Sequence, residues 1–390
     1  MRIMIGHNYY QQPGGEDAVF QAEVAMLKKH GHEVHVYERS NAEIEGGFFH
    51  KLRQLCSFRW SKRSYNEVRA LIREFKPDIA HFHNTFFMMT PSVYDACHDD
   101  GVFVVQSLHN FRSVCMNALF LRDKKVCELC TPASSFNGIF HRCYRKSFLL
   151  SVAMADMIGY HWRRSTWIKK VDRFIVASEF TRTQFIRFGF PSSKIVVKPH
   201  FVDEPVIRDG KVDGKYMLYA GRLSDEKGIE VLLHAWAEIK DIPLYIVGSG
   251  PLKAYVEAFV KRQGLDNIRV FGFLDHQRYE EVFAAASALI VPSLCYENFP
   301  RVVVEAYARG IAVIASRLGS LQEVVQDQKT GVLFTAGDAE DLCRCVRKVW
   351  KGSQYLELGR NARNLYAALY TEQINYDILM SLYSKAHKPH

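Results

Sequence analysis

The chain has 390 residues, of which 48% are hydrophobic and 24% charged, a length that predicts two domains with a core in each. It contains no uninterrupted apolar run of about 18 residues, which excludes a transmembrane helix. The net charge of +9 is moderate: it suits phosphate-bearing small substrates, an anionic membrane face or nucleic acid, and equally a merely basic surface.

MRIMIGHNYY enters a strand at once, without the charged leader and small-residue cleavage site of a signal peptide, so a cytoplasmic location is expected. Residues 16–30, EDAVFQAEVAMLKKH, form an amphipathic helix with Val19, Phe20, Val24 and Leu27 toward one side, and Gly31 stops it before the strand GHEVHVYE. KPDIAHFH, GVFVVQSLHN, DRFIVASEF and KIVVKPH continue the strand series, with helical stretches between. Such apolar strands specify a parallel sheet covered by helices. The pattern restarts with YMLYAGRL, PLYIVGSG, IRVFGFL, SALIVPS, AVIASRLG and TGVLF, and everything after residue 335 reads as helix.

The expected architecture is α/β: two doubly wound Rossmann-like domains facing each other across a cleft. Residues 1–200 form the first, with a cysteine-containing insertion at 110–146. A linker at 201–214 follows, then a second domain at 215–368 and a terminal segment at 369–390 that crosses back to the first. Open parallel sheets bind ligands beyond the carboxyl ends of their strands, so the loops that follow strands carry the function.

After the first strand, Gly14 and Gly15 precede a helix whose amide end suits an anion; a purely structural turn is the alternative. His109 and Asn110 follow the strand GVFVVQSLHN, with His109 either a ligand or acid/base group or a loop histidine bonded to backbone. His81 and His83 in AHFHN are read as alternating faces, at least one of them structural. In YAGRLSDEKG, Arg222 lies just beyond a strand and Lys227 in the first turn of a helix, where a cation opposes the macrodipole; two cations beside free amides suit a diphosphate. In SLCYENFPRVVVEAYARG, Glu297 stands in a loop and Glu305 in the second turn of a helix started by Pro300 and closed by Gly310. Apolar neighbours around Glu305 mean that it is either buried and paired or bound to ligand hydroxyls. Two carboxylates of this kind can each grip a vicinal diol, and a nucleotide-sugar has two.

GRLSDEKG, VGSGP, ENFPRVVVEA, SRLGSLQEVV and TGVLF, in this order, resemble the retaining glycosyltransferases of family four (glycosyl transferases group 1), which have the two-domain GT-B fold; GGED and KKHGHEV in the first half agree. The resemblance implies that Arg222 and Lys227 hold the donor diphosphate and stabilise the charge that grows on it, without a catalytic metal or cofactor. It implies that Glu297 contacts the transferred sugar and Glu305 the ribose, with Asn298, Phe299 and Gly319 beside them. His109 would approach the reacting face of the sugar, and Gly14 and Gly15 the phosphate. The implied reaction moves a hexose from GDP-mannose or a UDP-hexose to a saccharide acceptor, in bacterial-type polysaccharide or glycan assembly. Where many relatives have Gly-Gly, this chain has Leu318, Gly319 and Ser320, and the Ser320 side chain is expected to narrow the phosphate space.

Cys115, Cys127, Cys130 and Cys143 surround a central C-x-x-C with the character of a structural zinc site, His141 being a substitute ligand; buried thiols or disulfides are the alternatives. HRCYRKSFLL, GYHWRRSTWIKK and FTRTQFIRFGF mix cations with aromatics, which suits an anionic membrane surface and a lipid-linked acceptor, and otherwise an ordinary helical shell. The enzyme would then be peripheral at the inner face of the cell membrane. The rival readings are a catalytically inactive GT-B scaffold, an epimerase or phosphorylase of that fold, and a basic nucleic-acid-binding protein; no nucleic-acid motif is present.

Overall fold

The computed structural model describes residues 1–11, 14–44, 58–205, 214–351 and 354–387. Most of the 201–214 linker anticipated from the sequence lies outside them. The chain divides into two compact units: one comprises residues 1–119, 128–200 and 373–390, the other residues 120–127 and 201–372.

The first unit is built on a six-stranded parallel sheet: β1 (Arg2–Tyr9), β2 (Glu33–Ser40), β3 (Ile79–Phe82), β4 (Phe103–Ser107), β7 (Arg173–Val176) and β8 (Ile195–Val197), in the order β2-β1-β3-β4-β7-β8. Its inner strands β1, β3, β4 and β7 are buried on both faces, which is why they read as largely apolar runs, while the edge strand β2 is partly exposed. The helices α1 (Gly15–Lys29), α2 (Lys62–Phe75), α3 (Ser92–Asp99), α4 (Phe136–Phe140), α5 (Phe148–Arg163), α6 (Thr166–Lys170) and α7 (Glu179–Arg187) belong to this unit.

The second unit repeats the plan with β9 (Tyr216–Ala220), β10 (Leu244–Val247), β11 (Ile268–Gly272), β12 (Ala286–Val291), β13 (Ala312–Ser316) and β14 (Gly331–Phe334), ordered β11-β10-β9-β12-β13-β14. Its helices are α8 (Ile229–Glu238), α9 (Lys253–Gln263), α10 (His276–Ala284), α11 (Arg301–Ala308), α12 (Leu321–Val324), α13 (Ala339–Lys351) and α14 (Gln354–Leu369). One core cluster gathers Met217, Leu232, Trp236 and Ile314, and another gathers Leu218, Val304, Tyr307 and Val313, so the two faces of the sheet are covered separately. In each sheet the strand order reverses once, between β1 and β3 and between β9 and β12. A doubly wound sheet opens its binding crevice at that reversal.

One boundary differs from the sequence reading. A small antiparallel pair, β5 (Leu121–Arg122) and β6 (Lys125–Val126), belongs to the second unit although 110–146 was expected to stay wholly with the first. The reason is local packing: Leu121 lies against the core around Trp236, the Phe120 ring meets Tyr296, and Lys124 pairs with Glu230. The terminal helix α15 (Glu372–Tyr383) joins the first unit almost from its start, stacking Tyr376 on His30 and bonding the Tyr383 hydroxyl to His81.

Candidate active site

In the second unit, the loops leaving β9 and β12 meet at the strand-order reversal. After β9 the chain turns back on itself, and the buried Tyr219 hydroxyl donates to the Arg222 carbonyl at 2.7 Å, fixing the backbone there while the Arg222 side chain is exposed. Lys227 lies just ahead of the α-helix, not in its first turn as the sequence reading placed it. Residues Asp225–Lys227 form a single 3-10 turn, Gly228 follows in the left-handed conformation (φ 69°), and α8 begins at Ile229. A Cβ at Gly228 would fall 1.8 Å from the Pro292 carbonyl oxygen, so only glycine lets the Lys227 turn lie against the β12 loop. Gly248 (φ 136°) does the same between β10 and the Gly221 carbonyl, 1.9 Å from its would-be Cβ.

Lys227 Nζ donates to Glu297 Oε1 at 2.7 Å, and the Ser293 hydroxyl donates to the same oxygen at 2.6 Å. Burial opposes both charges. Each partner outweighs it for the other, so the Glu297 carboxyl is held below its ordinary range and the Lys227 ammonium above. Ser320, expected to narrow this space, is fully buried, and its hydroxyl donates to the Glu297 carbonyl at 2.6 Å. It pins the glutamate loop instead of obstructing it. Gly319 beside it adopts a φ of 53°, and α12 that follows is a single turn.

Glu305 is not drawn to Lys227. Its Oε2 accepts from the Tyr279 hydroxyl at 2.8 Å, and Arg301 lies 3.4 Å from Oε1. Glu305 is thus paired but only half-buried, its side chain keeping 21% of its surface. The Phe299 ring meets Tyr370 edge-on at 6.0 Å, and Asn298 is half-buried beside it in the chain.

In the first unit, His109 lies two residues beyond β4 and its Nε2 is 2.9 Å from His83 Nδ1. His83 Nε2 lies 3.3 Å and His81 Nδ1 3.0 Å from the same oxygen of Glu23. The expectation that His81 and His83 alternate is wrong, because residues two apart on a strand share a face. Lys198 Nζ occupies the other Glu23 oxygen at 2.7 Å and donates to Asn375 Oδ1 at 3.0 Å. Glu23 is the residue the sequence reading missed. Its position on α1 between the buried Phe20 and Leu27 was the available signal, an acid on the apolar face of a helix. Burial pushes the His83 imidazole down to about 3 and His109 well below the usual range, while Lys198 and the histidines hold Glu23 ionised against its burial. Among the described residues, Glu23, His81 and His83 form the only group with metal-ligand spacing. The Lys198 ammonium already supplies the positive charge there.

Gly14 and Gly15 have room around them: an added Cβ would meet nothing within 4 Å, and neither has a positive φ. The Gly14 N–H donates to Asp17 Oδ2 at 2.8 Å, and Asp17 Oδ1 is 2.7 Å from His7 Nε2. Glu16 follows, pushed up to about 7 mainly by burial and then by Asp17. Beyond β4, Arg112 is packed among the rings of Tyr10, Phe86, Phe87 and Tyr144.

The cysteines are not assembled. Among the described residues no disulfide forms, and Cys115, Cys127, Cys130 and Cys143 do not constitute a group with ligand spacing, nor does His141 complete one. Cys115 bonds Asn117 Oδ1 at 3.0 Å, and Cys143 packs against Met116, Met154 and Met157. The aromatics of GYHWRRSTWIKK and FTRTQFIRFGF also turn inward: Trp167, Phe185, Phe188 and Phe190 are core residues, and Trp162 Nε1 donates to the Ser113 carbonyl. HRCYRKSFLL differs, because Phe136, Phe140, Phe148 and Leu149 in and around it are each more than half exposed.

Comparison with known proteins identifies the family and the fold. Residues 205–365 match the family Glycosyl transferases group 1, and residues 13–204 match Glycosyltransferase Family 4. The chain belongs to the group 1, family-four glycosyltransferases. An uncharacterized glycosyltransferase of Methanocaldococcus jannaschii is 34% identical over 37% of this chain and 38% of its own length. The phosphatidyl-myo-inositol mannosyltransferase of Mycolicibacterium smegmatis is 29% identical over 57% of this chain and 58% of its own. The chain thus spans little more than half the length of these relatives, or less. Among solved structures, sucrose-phosphate synthase of Thermosynechococcus elongatus superposes with a TM-score of 0.71 at 19% identity, covering 98% of this chain and 99% of its own. HepE of Anabaena in complex with UDP gives 0.69 at 17%, covering 98% and 100%. These likenesses establish the two-domain GT-B fold.

Proposed function

We propose that the protein is a retaining hexosyltransferase that uses a nucleotide-sugar donor, and the observation that carries this is the Arg222, Lys227 and Glu297 corner at the strand-order reversal of the second sheet. Lys227 has three N–H donors and gives one to Glu297, so two remain for diphosphate oxygens. Arg222 adds a planar cation on the same loop. Together they take up the negative charge that grows on the leaving diphosphate, the work a divalent metal would otherwise do. Glu297, ionised and pinned by Ser293 and Ser320, accepts hydroxyl hydrogens of the transferred sugar through its remaining lone pairs. Glu305 receives the ribose hydroxyls at the oxygen facing Arg301. As the glycosidic bond breaks, the acceptor hydroxyl attacks from the face that the diphosphate leaves. Its proton passes to a phosphate oxygen, and configuration is retained.

Support for the donor class comes from HepE, solved with UDP and with UDP-glucose, and from mannosyltransferase relatives including the O-antigen chain enzyme of Escherichia coli. The acceptor is a saccharide, carried on a lipid. Between residues 129 and 155 there is no Asp or Glu, while Arg142, Arg145 and Lys146 stand among the exposed Phe136, Phe140, Phe148 and Leu149. Cations interleaved with exposed aromatics suit the headgroup zone of an anionic bilayer. No helix among the described residues is long and apolar enough to cross a membrane, so contact of this kind would be peripheral.

Calorimetric titration with UDP, GDP and ADP in the absence of divalent metal tests the donor site. One of them binds below millimolar concentration, and Arg222→Ala weakens it at least tenfold. Failure of all three at millimolar concentration contradicts the proposal. Flotation with phosphatidylglycerol vesicles tests the surface: a Phe136→Ser, Phe140→Ser, Leu149→Ser variant stays behind while the native chain floats, and a native chain that never floats removes the bilayer from the account.

A further inference from the structure

The hydrogen-bond order around Glu23 determines which nitrogen of His109 carries its proton. Glu23 is ionised and therefore only accepts. His83 Nε2, 3.3 Å from Glu23 Oε1, must then be the protonated nitrogen of a neutral imidazole, which leaves Nδ1 with a lone pair. That lone pair faces His109 Nε2 at 2.9 Å, so His109 must donate from Nε2. A neutral ring has one N–H, and its Nδ1 is left as a bare acceptor; His109 makes no other hydrogen bond among the described residues. The His83 and His109 rings lie 22° from parallel at 5.0 Å, and His200 flanks His109 on another side at 5.4 Å.

The base of the relay is rigid. Glu23 and the Lys198 side chain are 1% and 3% exposed, and Asn375 of α15 holds Lys198 while donating to the Pro199 carbonyl at 2.5 Å. His81, between the Ser107 hydroxyl at 2.8 Å and Tyr383 at 2.7 Å, fills the remaining approach to Glu23. No member can turn without leaving a buried polar atom unpaired, which costs more than a surface hydrogen bond gains.

We infer that Glu23 and His83 are positioning residues that lock His109 in the Nε2–H tautomer, so that its outward Nδ1 accepts a hydrogen bond from a substrate hydroxyl and cannot act as an acid. The group recognised is a hydroxyl donor, a sugar hydroxyl under the proposed function, on which this inference rests for its substrate. The tautomer itself is independent of that function.

The test uses ¹⁵N-histidine-labelled full-length protein. Ring-nitrogen spectra identify His109 by the pair of resonances missing from His109→Asn, and the expected pattern is protonated Nε2 with unprotonated Nδ1. The reverse pattern, or an even mixture, overturns the inference without any activity measurement. His83→Phe removes the acceptor and releases His109 into both tautomers. In a donor-turnover assay its kcat falls about a hundredfold with KM for the donor little changed. His83→Gln keeps one donor and one acceptor and restores both the spectrum and most of kcat. Unchanged His109 resonances in a folded His83→Phe variant also contradict the relay. Intact tautomer control in a protein that turns over no nucleotide-sugar would leave the relay standing and remove the proposed function.

Discussion

In the first unit, Glu23 is shared by His81, His83 and Lys198 with almost none of its side chain exposed, whereas in the second unit Lys227 and Glu297 pair with 33% and 12% of their side chains accessible. The two arrangements have similar chemistry and opposite uses. Every donor and acceptor around Glu23 is answered by another member of the cluster, so the cluster defines geometry and has little left to bind with. Around Lys227, donors are held in place by Gly228 and Glu297 and two remain unspent. A charge satisfied on all sides is scaffold; one satisfied on a single side is available to a ligand.

The sharpest way to break this comparison is to remove a charge from the closed cluster. Glu23→Ala leaves Lys198 buried without its counter-ion, and urea unfolding should show a loss of about 3–5 kcal/mol. A Glu23→Leu, Lys198→Met double variant should lose less than the sum of the two single changes, because no uncompensated charge remains. Additive losses would mean that the pair is not coupled.

Acid comes next. The His83 imidazole is depressed to about 3 when folded, while unfolded histidine takes a proton near its ordinary value of 6.5. Between those values the unfolded chain binds the extra proton, so stability is present above about pH 6.5 and falls as the pH drops through this window, by up to about 1.4 kcal/mol per pH unit. Glu16 works in the opposite sense. Raised to about 7, it is protonated in the fold and costs stability as the pH rises from its ordinary range toward neutrality. Urea midpoints of Glu16→Gln against pH separate the two: the variant should keep the acid loss and lose the upward cost.

The smallest effect is expected at Ser320, whose hydroxyl fixes the Glu297 carbonyl. Ser320→Ala removes one buried hydrogen bond, about 1 kcal/mol, and should lower donor turnover about fivefold. Ser320→Gly should do the same and should not raise turnover, as it would if the side chain crowded the diphosphate.

The second unit was largely legible in the sequence because its motifs are local. Arg222, Lys227, Glu297 and Glu305 each lie on a loop or first turns after a strand, and strand periodicity placed those loops. The errors came from backbone detail: Gly228 in the left-handed conformation detaches Lys227 from α8, and Ser320 turns toward a carbonyl that no local pattern announces. The first unit was less legible for a physical reason. Its central cluster joins α1, β3, the end of β8 and α15, so Glu23, His83, Lys198 and Tyr383 come from four distant segments. Helix periodicity marked Val19, Phe20, Val24 and Leu27 as one apolar side; Val24 is only half-buried while Glu23 beside it is buried, and the same periodicity applied to Glu23 would have exposed an acid that needs a partner. The cysteine spacing suggested a tetrahedral cage; among the described residues the four cysteines form no group with ligand spacing, and Cys143 packs against an apolar cluster.

The measurement that bears most directly on the account is release of nucleoside diphosphate from a panel of nucleotide-sugars, GDP-mannose and UDP-hexoses among them, by the native chain beside an Arg222→Ala, Lys227→Ala variant. The account predicts that the native chain cleaves one donor slowly without acceptor and without added metal, and that the variant loses at least about a thousandfold while remaining folded. A variant that cleaves as fast as the native chain would show that the Lys227 and Glu297 corner is not where the diphosphate leaves, and the central claim would fall.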